Sequence, residues 1–201
     1  MTVQEVIEEV VKDRIFFDES GGGVTLSGGE PLFQPEFLHS LLKELKRHDL
    51  HITLDTCGYA QHQDLEQIMN FVDLFLYDLK HPDDDEHIKY TGVSIMPILE
   101  NLRFLISSGI KVVLRLPIIP GINDQSHHIQ SLINILDSCI PAFPHSSIDI
   151  SLLPYHILAN KKYQRFNIEN RMKGTKSIVK SDLLTIKSSL EKGGYCVKIG
   201  F

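Results

Sequence analysis

Apolar residues recur at helical spacing over Val3, Val6, Ile7, Val10 and Val11, with acids early and Lys12 and Arg14 late, so a helix is predicted from Val3 to Phe17. Glu19-Ser20-Gly21-Gly22-Gly23 reads as a loop. The period then changes. Val24-Thr25-Leu26-Ser27 is a short apolar run entering Gly28-Gly29-Glu30-Pro31, which reads as a buried strand ending in a tight, exposed turn. From there the two patterns alternate. Helices are predicted over Pro35–Asp49, Gln61–Phe71, Asp83–Tyr90, Pro97–Ser108, Asp124–Cys139 and Lys180–Lys192. Strands are predicted over His51–Asp55, Asp73–Leu79, Lys111–Ile119, Ile148–Leu153 and Tyr195–Ile199.

Repeated β-α alternation with nearly continuous apolar strands is the pattern of a parallel sheet covered by helices. No linker or composition shift divides the 201 residues, which are enough for one domain with a real core. The weakly patterned stretch from Ile157 to Ser177 carries Lys161, Lys162, Arg165, Arg171, Lys173 and Lys176. It reads either as a mobile basic loop over an active face or as a solvated surface loop.

Composition narrows the function classes. Apolar content is 42% and charged content 23%, ordinary for a globular protein, and the net charge of -6 argues against a sequence-independent nucleic-acid binder. No apolar run is long enough to span a membrane, and the N-terminus shows no secretory signal. Three scattered cysteines, Cys57, Cys139 and Cys196, point to a reducing compartment, so a cytoplasmic location is expected.

Candidate chemistry collects where the strands end: Gly28-Gly29-Glu30, Asp55-Thr56, Asp78-Leu79-Lys80, Arg115, and Tyr155-His156. In a parallel sheet or barrel those ends share one face, so the set is a candidate pocket lining. Its carboxylates, cations and backbone amides suit a small ligand with both an amine and a carboxylate. Each member has a local alternative. Gly-Gly is a common turn, Asp55 and Asp78 are candidate caps, Lys80 and Arg115 candidate ion-pair partners, and His156 a candidate structural histidine. His81, Asp83, Asp84, Asp85 and His87 invite a metal reading, but acids favour helix N-termini and a solvated helix start is preferred. Cys57 is read as a buried small residue rather than a reactive thiol.

The segment from Ser20 to Pro31 resembles the strand-two segment of glycyl-radical-enzyme activating enzymes, which belong to the radical S-adenosylmethionine (SAM) enzymes. The likeness continues through Asp55-Thr56-Cys57-Gly58, Tyr77-Asp78-Leu79-Lys80-His81, Tyr90-Thr91-Gly92-Val93-Ser94, Arg115 to Asp124, and Leu152-Leu153-Pro154-Tyr155-His156. It implies a partial (βα)6 TIM-like barrel of the radical SAM type with its first strand missing, in a single, N-terminally incomplete core domain over residues 1–201. It also implies that Gly28, Gly29 and Glu30 receive the methionyl amino group of SAM. Asp78 and Lys80 would engage its polar end, with Arg115 and His156 completing the pocket. Asp55, Thr56 and Asp78 would hold a monovalent cation.

The implied chemistry is one-electron cleavage of SAM by a [4Fe-4S] cluster to a 5′-deoxyadenosyl radical. That radical generates a glycyl radical on a partner such as pyruvate formate-lyase, with flavodoxin or ferredoxin as electron donor. The family's Cys-x3-Cys-x2-Cys cluster motif is absent from these 201 residues. The chain is therefore expected to be a fragment of an activating enzyme, unable by itself to cleave SAM. The alternative is a cluster-less module that binds SAM or the partner without catalysis. A barrel aldolase using Lys80 as a Schiff-base lysine leaves the motif series unexplained. The open edge left on strand Val24–Ser27 is expected to favour self-association.

Overall fold

The computed structural model describes residues 1–139, 148–155 and 174–200. Among them are eight α-helices: α1 (Val3–Val11), α2 (Arg14–Ser20), α3 (Pro35–Arg47), α4 (His62–Ile68), α5 (Asp84–Thr91), α6 (Met96–Ser107), α7 (Ser126–Cys139) and α8 (Lys180–Lys192). The strands are β1 (Gly23–Leu26), β2 (His51–Thr56), β3 (Leu74–Asp78), β4 (Val112–Ile118), β5 (Asp149–Pro154) and β6 (Cys196–Ile199). They follow chain order in an open parallel sheet, β1 to β6, the parallel sheet that the alternation predicts and the partial barrel that the resemblance implies. The chain forms two compact units, Met1–Asp78 with Met96–Val113, and Leu79–Ile95 with Leu114–Phe201.

In the first unit the apolar stripe of α3 (Leu38, Leu41, Leu42, Leu45) is buried, and α3 packs on α1 and β2. Ile52, Leu54, Phe75 and Tyr77 are fully buried on β2 and β3. Each such side chain contributes about 1.5–3 kcal/mol by leaving water. The parallel register is Leu26 beside Leu54 between β1 and β2, and Thr56 beside Tyr77 between β2 and β3. It brings the C-terminal ends of these three strands to one edge. In the second unit Leu114, Leu136, Ile150, Leu152 and Leu190 are fully buried, and α8 packs on α7, β5 and β6.

Two local expectations change. The helix predicted over Val3–Phe17 is broken at Lys12-Asp13. The first piece begins with a capping box, in which the Thr2 hydroxyl accepts from the Glu5 N–H and the Glu5 carboxylate accepts from the Thr2 N–H. The second piece is re-aimed by Arg14, whose guanidinium donates to the carbonyl of His48 at the end of α3 and to the Asp18 carboxylate. Ile15 and Phe16 consequently stay exposed. Secondly, β1 is not buried: Thr25 is exposed and its neighbours are half-buried. Among the described residues it lies at an end of the sheet order, with one strand neighbour, so its apolar run is only partly covered.

Candidate functional site

The exit of β1 is an exposed turn, Ser27-Gly28-Gly29. Gly28 has φ +150°, and open space lies where a Cβ would project at Gly28 or Gly29. Backbone amides and carbonyls are thus left approachable.

The acid that follows faces inward. One Glu30 carboxylate oxygen accepts the Thr56 hydroxyl at 2.6 Å and the Leu32 N–H at 3.2 Å, and the other accepts the Cys57 N–H at 2.8 Å. Thr56, itself 98% buried, also accepts the Gly58 N–H at 2.9 Å. Ser27 donates to the Asp55 carboxylate at 3.3 Å. Gly28-Gly29 is therefore a loop pinned at both ends to the exit of β2. Asp78 ends β3 and is half-buried.

The turn after β2 is equally fixed. Gly58 has φ +72°, and a Cβ there would lie 1.8 Å from the Tyr77 hydroxyl oxygen. That hydroxyl donates to the Ile98 carbonyl at 2.6 Å, while the buried Asn101 amide donates to the carbonyls of Gly58 and Ala60 at 2.9 and 3.0 Å.

Lys80 and Arg115 belong to the second unit. Lys80 is exposed and Arg115 is 94% buried. Leu79 donates its N–H to the Arg115 carbonyl at 3.0 Å. The buried Asn123 amide donates to the carbonyls of Lys80 and Pro117 at 2.9 and 2.7 Å, and its side-chain oxygen accepts the Ile119 N–H at 2.8 Å. His156 lies outside the described residues, as does the basic stretch except Lys176. Asn101 and Asn123 were not singled out by the sequence. A polar residue two places after a Pro-Gly turn was the available signal for Asn123.

The acidic stretch after β3 caps a helix. Asp83 accepts the Glu86 N–H at 3.0 Å. Asp84 accepts the Ser94 hydroxyl and the Ile95 N–H, which hold its carboxyl below the ordinary carboxylate range. His81 bridges Asp83 and the Ile122 carbonyl, and His87 engages the Val93 carbonyl at 2.7 Å. Among the described residues no cluster of three or more His, Cys, Asp or Glu could hold a metal ion. Cys57 is half-buried rather than buried, in a turn whose Cys57 N–H donates to Glu30.

Residues 1–133 match the radical SAM superfamily. The chain is 37% identical over 202 residues to the trans-4-hydroxy-L-proline dehydratase activating enzyme of Clostridioides difficile, a likeness covering 99% of this chain and 65% of that protein. It is 33% identical to the pyruvate formate-lyase-activating enzyme of Clostridium pasteurianum, over 96% of this chain and 78% of the relative. A crystal structure of a domain of pyruvate-formate lyase-activating enzyme from Bacteroides vulgatus superposes with TM-score 0.74 at 29% identity, covering 90% of this chain and 99% of that one.

The chain belongs to the radical SAM superfamily, among the activating enzymes of glycyl radical enzymes. It spans 51–65% of the length of several of the curated relatives it matches. Among the described residues no helix is long and apolar enough to cross a membrane.

The superfamily implies SAM and a [4Fe-4S] cluster. The open, pinned Gly28-Gly29 backbone beside Asp55 fits the amino-acid end of SAM. The cysteines do not fit a cluster. Cys57 sits in the turn after β2, Cys139 is buried at the end of α7, and Cys196 is exposed at the start of β6.

Proposed function

We propose that residues 1–201 form the SAM-binding part of an activating enzyme that installs a glycyl radical on a partner enzyme. SAM, when bound, supplies the hydrogen-abstracting group of the family chemistry. The chain's own residues bind and orient. Gly28 and Gly29 offer backbone carbonyls to the ammonium. Asp55 and Asp78, with the remaining lone pair of Thr56, offer oxygens to a monovalent cation near the carboxylate. In this reading Glu30 braces the loop, since three hydrogen bonds already converge on its carboxylate.

The observation that carries the reading is the Glu30 clamp holding an open diglycine at the strand ends, in a chain related to activating enzymes over nearly all its length. Calorimetric titration of SAM into the chain tests it. Saturable binding, weakened roughly tenfold by Asp55→Asn, is expected from loss of one charge-assisted contact. No heat of binding to the unaltered chain would overturn it.

A second reading rests on the cysteines: a module that binds SAM or the partner without turnover. Reductive cleavage requires thiolate ligands that these residues do not arrange. Anaerobic iron–sulfur reconstitution is expected to yield no SAM-dependent 5′-deoxyadenosine. Product above background would exclude the cluster-less reading.

The edge position of β1 also supports pairing with a second copy of the chain. Light scattering is expected to show a dimer, and a clean monomer at high concentration would count against it.

A further inference from the structure

A cleft of about 550 Å³ lies in the first unit beside the diglycine loop. It is walled by the turn after β1 (Leu32, Phe33, Pro35), by the loop after β2 (Tyr59, Ala60, Gln61) with the first turn of α4 (His62, Asp64), and by the first turns of α6 (Pro97, Glu100). This size is in the range of specific ligand sites.

Three features show what it would take. First, its walls are fixed. Glu30 caps the 3₁₀ turn Pro31–Phe33, Asn101 is 98% buried and holds the Gly58 and Ala60 carbonyls, and the His62 ring meets the Phe104 ring edge-on at 4.3 Å. Secondly, it has an apolar floor and an exposed aromatic: Leu32 is buried, while Phe33 is 70% exposed. Thirdly, its charge has one sign. Asp64 and Glu100 line it and, among the described residues, no Lys or Arg does and neither carboxylate has an ion-pair partner.

We infer that this cleft docks an extended segment of the partner protein that carries a Lys or Arg beside an apolar or aromatic side chain. The cation sits between Asp64 and Glu100, and the apolar neighbour lies on Phe33 and Pro35. The occupant is cationic because two unpaired carboxylates would repel an acidic segment and gain nothing from a neutral one. It is extended because the cleft is walled by three separate stretches of chain and is open to solvent. The inference rests on the proposed role as an activator of a partner enzyme, and it adds the chemistry of the segment by which that partner is held. The cleft shares its backbone with the diglycine loop, since Glu30 both clamps that loop and caps the turn bearing Phe33.

The test is selection of a phage-displayed random dodecapeptide library on the full 201-residue chain. The recovered peptides are then measured by fluorescence anisotropy against the unaltered chain and an Asp64→Asn, Glu100→Gln double variant. Recovered sequences are expected to be enriched in Lys or Arg next to an apolar residue, and the double variant to bind them roughly tenfold more weakly. A Phe33→Ser variant, altered at an exposed position, is expected to weaken the same peptides.

Unchanged melting and unchanged SAM titration of the variants show that fold and cofactor site are intact. SAM binding without peptide enrichment overturns this inference alone, whereas loss of SAM binding by the unaltered chain overturns the functional reading. Enrichment of neutral or acidic peptides, or equal binding to the double variant, overturns the inference. So does a concentration-dependent dimer in sedimentation that the double variant abolishes, which assigns the cleft to a second copy.

Discussion

The carboxylate of Glu30 accepts the hydroxyl of Thr56 at 2.6 Å, so the acid that follows the diglycine is turned into the protein and joins the exits of β1 and β2. With the Cys57 N–H on its other oxygen, it holds the loop by charge-assisted bonds. Glu30→Ala is expected to destabilise the fold by about 1.5–3 kcal/mol in urea unfolding, because the Cys57 N–H and Thr56 hydroxyl lose a charged acceptor. Paired with Thr56→Val, the losses should be non-additive by at least about 0.5 kcal/mol. Strict additivity would show that the two residues act separately.

Gly58 and Gly29 separate folding from binding. Gly58→Ala drives a Cβ into the Tyr77 ring at a positive φ, and is expected to cost about 3 kcal/mol or more, read as a fall in melting temperature. Gly29→Ala meets open space and should leave melting nearly unchanged. Its effect should appear as weaker SAM binding, because the added methyl stands where the ligand would approach the backbone. Equal loss of stability in both variants would contradict this assignment.

At the opposite end of β2 and β3, Lys46 places its ammonium 2.6 and 2.7 Å from the two Asp73 carboxylate oxygens, and the Ile52 N–H donates to one of them at 2.7 Å. Partial burial works against the charged form. The Lys46 and Ile52 hydrogen bonds outweigh it, so the carboxyl lies below its ordinary range. The folded state therefore binds this proton less readily than the unfolded chain. The contribution is fully present above about pH 4, the ordinary carboxylate range, and is lost as the pH falls through the folded-state value. Asp73→Asn is expected to cost about 1 kcal/mol at pH 7, since the pair is about one-third exposed, and progressively less as the pH falls below the ordinary carboxylate range. A cost independent of pH would exclude the ion pair as its source.

His128 works in the opposite chemical sense. Among the described residues its buried Nδ1 has no hydrogen-bond partner, its ring lies 3.8 Å from that of His127 and 4.8 Å from that of His81, and Asp83 and Glu86 act on it from α5 and its cap. Burial first, then the neighbouring imidazoles, push its pKa down, and the two acids only partly oppose this. The unfolded chain takes up this proton more readily, so stability falls as the pH drops below about 6.5. His128→Gln is expected to flatten the stability profile between pH 7 and 5 in urea titrations. Superimposable slopes would show that another group carries the dependence.

The sequence determined the alternation of elements and most of their bounds. The apolar faces of α3 and β2 are local properties of spacing, and Pro35 at a helix start and the Asp83 cap act within one turn. The helix Lys180–Lys192 carries its own stripe of Leu183, Ile186 and Leu190 and coincides with its predicted span. The sequence also marked Gly28-Gly29 as an exposed turn, because two adjacent glycines after an apolar run have few other uses.

The direction of the Glu30 side chain was decided only in three dimensions. Its partners Thr56 and Cys57 lie 26 and 27 residues away and arrive through the parallel register of β1 on β2. The break at Lys12-Asp13 depends on a carbonyl 34 residues from Arg14. Asn101 and Asn123 are buried polar groups whose acceptors lie on other elements, which no local pattern encodes. Periodicity records which face a residue takes within its own element. What that face meets is set by the pairing of elements distant in sequence, and that pairing is where the clamp, the cleft and the charge environment arise.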